Sequence, residues 1–279
     1  MAGPARTRAE FVRMIERPEP EIELARAALL VAAETEPAAD VEGGLRLLEE
    51  WAGTLRARLE PGWNNLQKLA RLRALMYGEL DFRGDPRDYH SPGNALLHQV
   101  LQRRRGIPLT LAIVLLELGW RVGMPLEGVG FPGHFLVRLA GEPRDLLLDP
   151  YDDGRTVHEE DCRRMLREST GGGMEYAPGL VASVGRRNMI ARLLRNLKGA
   201  YLRRNDDERA LSAVDRLLLM SPADAEEVRD RGLLLFRLNR WNAALECLNG
   251  YLERAGSAGD RGEIERHART LRHLLASLN

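Results

Sequence analysis

Cysteine is scarce in this sequence: Cys162 and Cys247 are the only two among 279 residues. Two cysteines cannot form a disulfide framework, and no group of cysteine and histidine residues has the spacing of metal ligands. Gly171, Gly172 and Gly173 are not followed by Lys and Ser or Thr, so they do not form a phosphate loop. We therefore expect no metal and no cofactor.

The chain also lacks an excess of charge of either sign, with 41 basic and 41 acidic side chains. A nucleic-acid-binding domain carries a basic excess, so we expect no nucleic-acid partner. No apolar run reaches the roughly 18 positions that a membrane-spanning helix needs. The N-terminus lacks the basic and then apolar pattern of a secretory signal. The simplest expectation is a cytoplasmic protein without a membrane partner.

The first 80 residues are predicted to be mainly helical. Apolar residues recur at helical spacing over three segments, at about residues 21–37, 41–59 and 63–79. Residues 1–20 are polar and contain three prolines, so they are read as a loose lead-in. No side-chain pattern in residues 1–80 indicates chemistry. We interpret them as an N-terminal helical subdomain that packs against a core.

The most apolar helix candidate follows Arg105. Its first turn contains Pro108, where the missing N–H costs nothing because that group has no partner inside the helix. The segment is apolar on nearly every face through Trp120, and Glu117 is its only charge. This pattern predicts a central, buried helix.

The clearest hairpin in the sequence comes after this helix. Two short apolar-rich runs flank Gly-Glu-Pro, at residues 134–140 and 144–149. If Gly141 and Glu142 are the two central turn residues, paired residue numbers sum to 283, and His134 lies directly opposite Asp149. A three-residue loop would shift the register by one and make this pair diagonal.

The two faces of the predicted hairpin differ in character. Side chains alternate along a strand, so the same register places Arg138 opposite Asp145 on the face of His134. The other face carries apolar residues that should be core: Phe135, Val137, Leu139, Leu146 and Leu148. One face is therefore predicted to be buried, and the other to present an imidazole to a carboxylate.

The pair of His134 and Asp149 has two readings. A histidine beside a carboxylate has its tautomer fixed and its protonated form favoured, which prepares it as a general base for a nucleophile. A cross-strand ion pair that only holds the register would use the same residue types. The residues of the hairpin alone leave both readings open.

Several short motifs accompany the helix and the hairpin: Phe82-Arg83-Gly84-Asp85, Tyr89, Asn94, Arg105-Gly106-Ile107-Pro108, Gly130-Phe131-Pro132-Gly133-His134-Phe135 and Leu148-Asp149-Pro150. In these motifs, and in the order of helix and strands, the chain resembles the transglutaminase-like superfamily. It is closest to the bacterial SirB-type branch, which joins this core to a helical-repeat tail. The resemblance covers about the first two-thirds of the chain. It implies an α+β fold with a papain-like core, which we place at residues 81–170.

The resemblance also exposes a missing residue. Enzymes of this superfamily use a cysteine at the start of the helix, a histidine on a following strand and an aspartate on the next strand. His134 and Asp149 match the last two positions and are the remnant of a catalytic triad on this reading. Counting back from Gly123 by the spacing in the enzymes places the cysteine at or next to Pro108. Residues 105–151 contain no cysteine.

Two other side chains are weaker candidates for a nucleophile. Thr110 carries the nearest hydroxyl, but a threonine in an apolar helix more often bonds to the preceding turn. Cys162 lies in a predicted helix at about 159–168, where Asp161 and Glu160 would raise the pKa of its thiol. An ordinary, half-buried cysteine is the alternative reading of Cys162.

The tail, residues 188–279, is predicted to consist of helical repeats. One set of positions recurs 34 residues later, the tetratricopeptide period: Tyr201, Ala210, Leu211, Val214, Leu217 and Pro222 match Leu235, Ala244, Leu245, Leu248, Tyr251 and Gly256. The segment 263–278 would be a capping helix. Two repeats and a cap are few for an independent solenoid, so we expect the tail to depend on the core.

Two classes of function are consistent with these patterns. The first is a pseudoenzyme, a non-catalytic transglutaminase-like module that binds a protein or peptide and acts in regulation. The second is a cryptic hydrolase or acyltransferase that uses His134 and Asp149 with Thr110, Cys162 or a water as nucleophile. The missing cysteine favours the first class. The sequence does not identify the partner or the substrate.

Overall fold

The computed structural model of the chain describes residues 3–36, 38–141, 145–254 and 259–277. The chain divides into two compact units, Met1–Leu193 and Leu194–Asn279. In the described residues, the first unit combines helices with a five-stranded antiparallel sheet, and the second unit is helical. This confirms the predicted α+β class. None of the described helices combines the length and the apolar character that a membrane span requires.

The N-terminal segment is largely a helix, so the prediction of a loose lead-in was wrong. Helix α1 (Pro4–Ile15) packs against helix α2 (Leu24–Thr35). It buries Phe11, Met14 and Ile15, which follow helical spacing. The prolines misled the interpretation because Pro4 stands in the first turn, where a helix tolerates proline. Pro18 lies beyond the end of the helix.

The three helices predicted between residues 21 and 79 are present, and the third changes pitch. Helix α2 is followed by α3 (Val41–Arg56) and α4 (Asn65–Arg73). Helix α4 continues into a π-helical segment, Ala74–Glu79. This segment buries Tyr77, which contacts the functional region described below.

A short parallel pairing joins the motif segment to the start of the central helix. Strand β1 (Arg83–Gly84) pairs with strand β2 (Arg105–Gly106), and helix α5 (Leu97–Arg103) lies between them in sequence. Helix α6 (Pro108–Arg121) follows β2 directly. The segment that carries Tyr89 is thereby attached at the N-terminal end of α6, where the resemblance places the missing cysteine.

Helix α6 is buried along most of its length, as predicted. Every residue from Pro108 to Gly119 is buried. The buried carboxylate of Glu117 is bound by groups of the first unit. It accepts a hydrogen bond of 2.8 Å from the backbone N–H of Ala25 in the first turn of α2, and it pairs with Arg121. The charge therefore caps a neighbouring helix, where a negative group is stabilised by the helix dipole.

The sheet has the strand order β6-β5-β4-β3-β7. Its strands are β3 (Leu126–Val129), β4 (Leu136–Leu139), β5 (Leu146–Asp149), β6 (Arg155–Val157) and β7 (Ser183–Val184). Gly119 of α6 lies against Leu126, since a Cβ added to that glycine would stand 2.2 Å from Leu126 Cδ1. Helix α6 therefore packs on the face of the sheet that carries Leu126.

The predicted register of the β4–β5 hairpin was wrong by two residues. Val137 pairs with Leu148, so paired residue numbers sum to 285. The predicted turn at Gly141 and Glu142 extends outside the described residues. A shift of two preserves the face of every side chain, because side chains alternate with a period of two. Arg138 accordingly still reaches Asp145, with 3.5 Å between Arg138 Nε and Asp145 Oδ2.

Helix α7 (Glu159–Thr170) belongs to a second hydrophobic layer of the first unit. Buried side chains from the sheet, the adjoining loop and α7 form one cluster: Val129, Phe131, Leu136, Val157, Cys162 and Leu166. Leu136 alternates with the core residue Val137, so both faces of β4 carry buried apolar side chains. The predicted helix at 159–168 is confirmed and ends slightly later.

The second unit follows the 34-residue repeat. Its helices are the end of α8 (Arg186–Arg203), then α9 (Asp207–Met220), α10 (Ala225–Arg237), α11 (Trp241–Arg254) and the cap α12 (Arg261–Ser277). The bounds of α9 and α11 differ by 34 at both ends. Ala210 and Ala244, the small residues of the repeat, are both fully buried. The tetratricopeptide prediction is therefore confirmed for the helices of this unit.

Candidate functional site

His134 and Asp149 meet at one end of the β4–β5 hairpin. Gly133 adopts a left-handed conformation with a φ of 69°, so the chain turns sharply just before His134. His134 Nε2 lies 2.8 Å from Asp149 Oδ1, which confirms the predicted contact. The contact is diagonal, since the observed register places Leu136 opposite Asp149. A catalytic role for the pair stays a prediction.

Asp149 is held in place by the turn that follows it. Its buried carboxylate also accepts hydrogen bonds from the backbone N–H groups of Tyr151, at 2.9 Å, and Asp152, at 3.4 Å. The hydroxyl of Tyr77 donates to Pro150 O at 3.4 Å. Burial raises the pKa of Tyr77, and the charge of Asp149 adds to this effect. The carboxylate is thus oriented toward His134 before any ligand arrives.

The backbone around His134 is fixed by two side chains from other elements. Arg192, on α8, donates from Nη2 to Phe131 O at 2.9 Å and to His134 O at 2.5 Å. The hydroxyl of Ser169, on α7, donates to Pro132 O at 3.3 Å. Sequence reasoning missed Arg192, because it follows His134 by 58 positions and belongs to no local motif.

Four rings form a row that leads away from the imidazole. The ring centroids are 6.2 Å apart from His134 to Tyr151, 5.9 Å from Tyr151 to Tyr89 and 5.2 Å from Tyr89 to His90. Each pair is edge-to-face, an arrangement that aromatic rings favour. Gly84 makes room for the row, since a Cβ there would lie 2.5 Å from the Tyr151 ring. We call His134, Tyr151, Tyr89 and His90 the ring row.

The segment that carries Tyr89 is held by Asp85. One carboxylate oxygen accepts from the backbone N–H of Asp88, and the other accepts from Asn94 Nδ2 at 3.1 Å and from Arg103 at 3.4 Å. Burial acts to raise the pKa of Asp85, but hydrogen bonds from Asn94 and the backbone hold it below its ordinary value. The sequence motif around Asp85 therefore has a structural task, which is to present Tyr89 beside Tyr151.

The hydroxyl of Thr110 is occupied by hydrogen bonds to neighbouring backbone groups. Its buried hydroxyl donates to Asn94 O at 2.7 Å and accepts from the backbone N–H of Ile107 at 3.1 Å. Across the described part of the chain, no hydrogen bond joins Thr110 to His134. The structure therefore does not bring this candidate nucleophile into contact with the imidazole.

Cys162, on α7, belongs to the buried cluster that this helix forms with the sheet, where its neighbours are hydrophobic. Burial raises the pKa of its thiol, and the charges of Asp161 and Glu159 raise it further. The expected effect of Asp161 on this thiol is therefore present, whereas the second acidic contribution comes from Glu159 and not from the expected Glu160. In the described ranges, no group of three or more His, Cys, Asp or Glu side chains could hold a metal ion.

Cys162 is expected to resist alkylation while the protein is folded. Its raised pKa leaves less thiolate at any given pH, and thiolate is the reactive form. Iodoacetamide should therefore modify Cys247, which is only partly buried, well before Cys162, and should modify both in denaturant. Peptide mass mapping of timed samples measures the two rates. Rapid modification of Cys162 in the folded protein would contradict its place in the core.

Two family models match the chain and together cover most of it. The model described as the transglutaminase-like superfamily matches residues 44–195, and a tetratricopeptide repeat model matches residues 197–275. The first match contains His134, Asp149 and the whole ring row. The second begins close to the boundary between the two compact units.

Relatives occur in bacteria and in mammals. A UPF0162 protein of Xylella fastidiosa is 34% identical over 229 residues, which cover 81% of this chain and 82% of that protein. A UPF0162 protein of Vibrio cholerae is 36% identical over 181 residues, covering 64% of this chain and 66% of that protein. Human F-box only protein 21 is 28% identical over 193 residues, which cover 65% of this chain and 30% of the human protein.

Proposed function

The chain belongs to the transglutaminase-like superfamily, together with the bacterial UPF0162 proteins, and on this premise we propose that it is a non-catalytic, regulatory member. In this proposal it binds a protein or peptide on the surface around His134 and Asp149. The helical repeats of the second unit offer a further surface of a kind suited to protein partners. Fold alone does not assign a function, so the proposal rests on the site.

One observation carries the proposal: the imidazole has a carboxylate but no nucleophile. His134 Nε2 contacts Asp149, and within the described residues no hydrogen bond is made by Nδ1. Cys162 is buried among hydrophobic residues, and Cys247 receives a hydrogen bond from Arg231 within the second unit. A histidine and a carboxylate can only take up a proton that a nucleophile gives. The cysteine-based chemistry of the superfamily therefore lacks its nucleophile in this chain.

The same surface has features that favour binding. Tyr89 is 37% exposed and is among the more exposed large hydrophobic side chains in the described residues. Tyrosine is enriched at protein interfaces because it supplies a large ring with few rotatable bonds and a polar tip. The ring row is also ordered by Gly84 and Asp85, so little conformational entropy is lost when a ligand binds.

A second candidate function is hydrolysis or acyl transfer with water as the nucleophile. The observation that favours it concerns His134, whose side chain is 18% exposed and whose Nε2 is fixed by Asp149, while its Nδ1 makes no hydrogen bond to any described residue. In this orientation the imidazole could accept a proton from water. Thr110 and Cys162 are less accessible to a substrate than a solvent water, because both are buried.

Replacing His134 with Ala distinguishes the two candidates. On the binding proposal, the variant has no turnover to lose, and it weakens peptide binding or stability by about 1–3 kcal/mol, since Asp149 loses a buried partner. Peptides selected from a random phage-displayed library against the purified protein serve as ligands. Their affinity is measured by fluorescence anisotropy, and turnover is measured with an activated ester and an amide. His158→Ala, at an exposed position, is the matched control.

Turnover that disappears in His134→Ala would contradict the proposal. Simultaneous loss in Thr110→Ala would identify Thr110 as the nucleophile, and loss in Cys162→Ala would identify a relocated thiol. Loss in His134→Ala alone would indicate an activated water. In each of these cases peptide affinity should change little, because the reaction and not the binding would depend on the imidazole.

A further inference from the structure

Among the described residues of the first unit, Arg192 is a cation without an acidic partner. Its Nη2 donates to two backbone carbonyl oxygens beside His134, and its guanidinium lies 5.4 Å from the centroid of the Phe135 ring. Across the described residues, no carboxylate oxygen lies within 4.0 Å of Arg192. Burial lowers the pKa of Arg192, and the interaction with the nearby Tyr89 hydroxyl, which would raise this pKa, does not offset the effect of burial. The guanidinium is therefore partly desolvated without a compensating negative charge.

The carboxylates around the ring row are already compensated. Asp149 contacts His134, and Asp85 contacts Arg103 at 3.4 Å. On the turn after Tyr151, the acidic side chains are also paired: Asp152 with Arg155, and Asp153 with Arg83 at 3.6 Å. Arg192 is thus left as an uncompensated charge beside His134, and charge complementarity favours an anionic occupant.

Arg192 also has N–H donors that remain available beside His134. Arg192 uses Nη2 for the two carbonyl oxygens, and within the described chain its Nη1 and Nε make no hydrogen bond. Tyr89 is exposed, interacts electrostatically with Arg192 and joins His134 through Tyr151. A planar guanidinium binds a carboxylate through two parallel N–H donors, which makes a carboxylate the best-fitting anion.

We propose that Arg192, with the Tyr89 hydroxyl and the Nδ1–H of the His134 imidazolium, binds a carboxylate of the peptide partner. The inference rests on the proposed function and names the chemistry of the ligand. A peptide carries this group on an Asp or Glu side chain or at its C-terminus. In both cases the peptide chain would run along the ring row, where its apolar side chains contact Tyr89 and Tyr151.

The first test uses acetate as the probe and acetamide as its neutral analogue. In protein with carbon-13-labelled histidine, acetate should shift the ring signals of His134 saturably, and acetamide should not. Arg192→Gln keeps a donor for the carbonyl oxygens but removes the charge, and it should weaken acetate binding by about tenfold or more. The matched control is Arg186→Gln. Arg186 lies on the same helix, donates to Pro20 O and Ile22 O, and stacks over Trp120.

Two results would overturn the inference: no saturable shift with acetate in the unmodified protein, or equal acetate affinity in Arg192→Gln and Arg186→Gln. If Arg192→Gln lowers the melting temperature much more than its control, Arg192→Lys replaces it. Lysine keeps the charge but loses the paired donors. Acetate binding should then be weaker by about tenfold while the fold is retained, and unchanged acetate affinity would again overturn the inference.

The second test uses the selected peptides and separates this inference from the proposed function. Amidation of the C-terminus, and replacement of every Asp by Asn and every Glu by Gln, remove the two sources of carboxylate in turn, and the change that weakens binding identifies the source. If neither change nor Arg192→Gln weakens binding, the carboxylate site is wrong while peptide binding stands. If no peptide is selected but acetate still binds through Arg192, the proposed function fails and the anion site stands.

Discussion

Replacing Asp149 with Ala is expected to lower the free energy of unfolding by about 3–5 kcal/mol, the cost of removing one partner from a buried pair. The Asp149 carboxylate is buried and accepts hydrogen bonds from His134 and from the backbone N–H groups of Tyr151 and Asp152. Its removal leaves these donors without a partner at the end of β5. Urea unfolding followed by circular dichroism measures the change.

Two further variants make the Asp149 result specific. Asp149→Asn keeps an acceptor oxygen for the backbone N–H groups and should cost less than Asp149→Ala. Asp145→Ala removes the more exposed carboxylate that pairs with Arg138 at 3.5 Å, and it should cost about 1 kcal/mol or less. Equal effects of Asp149→Ala and Asp145→Ala would mean that the His134 and Asp149 pair is a surface ion pair.

The second large effect is expected near the start of the chain, in Phe11→Ala. The Phe11 side chain on α1 is fully buried, and truncation of a buried phenylalanine costs about 3–5 kcal/mol. Arg13→Ala, on the exposed side of the same helix, should change the free energy of unfolding by about 0.5 kcal/mol or less. Chemical denaturation of both variants tests whether α1 belongs to the folded unit.

A small effect of Phe11→Ala, similar to that of Arg13→Ala, would restore the interpretation of residues 1–20 as a lead-in. The expected large effect also predicts that deletion of α1 destabilises the transglutaminase-like part of the chain. A protein shortened by α1 would expose the apolar surface of α2 that α1 covers, and exposed surface of this kind promotes aggregation. Binding experiments should therefore use the full chain.

Local patterns in the sequence were sufficient for most of the regular elements, with helix α1 as the exception. Helix α6 was predicted because a segment that is apolar on every face can only be stable when it is surrounded by other elements. The repeat helices were predicted because the spacing of Ala210 and Ala244 repeats a local packing requirement. The contact between His134 and Asp149 was predicted because adjacent strands of a hairpin bring residues on one face together, and the two-residue error in register preserved the faces.

The tertiary structure decided where long-range partners meet and which side chains are free to react. The helical spacing of Phe11, Met14 and Ile15 did not by itself show that α1 belongs to the folded unit, because their burial depends on packing against α2. Arg192 reaches the His134 loop from 58 positions away. The burial of Cys162 depends on how α7 packs, since periodicity specifies which faces of an element are apolar but not which other elements cover them. The sequence therefore determined most of the elements and the His134–Asp149 pair, whereas only three-dimensional packing determined the surroundings that decide what this pair can do.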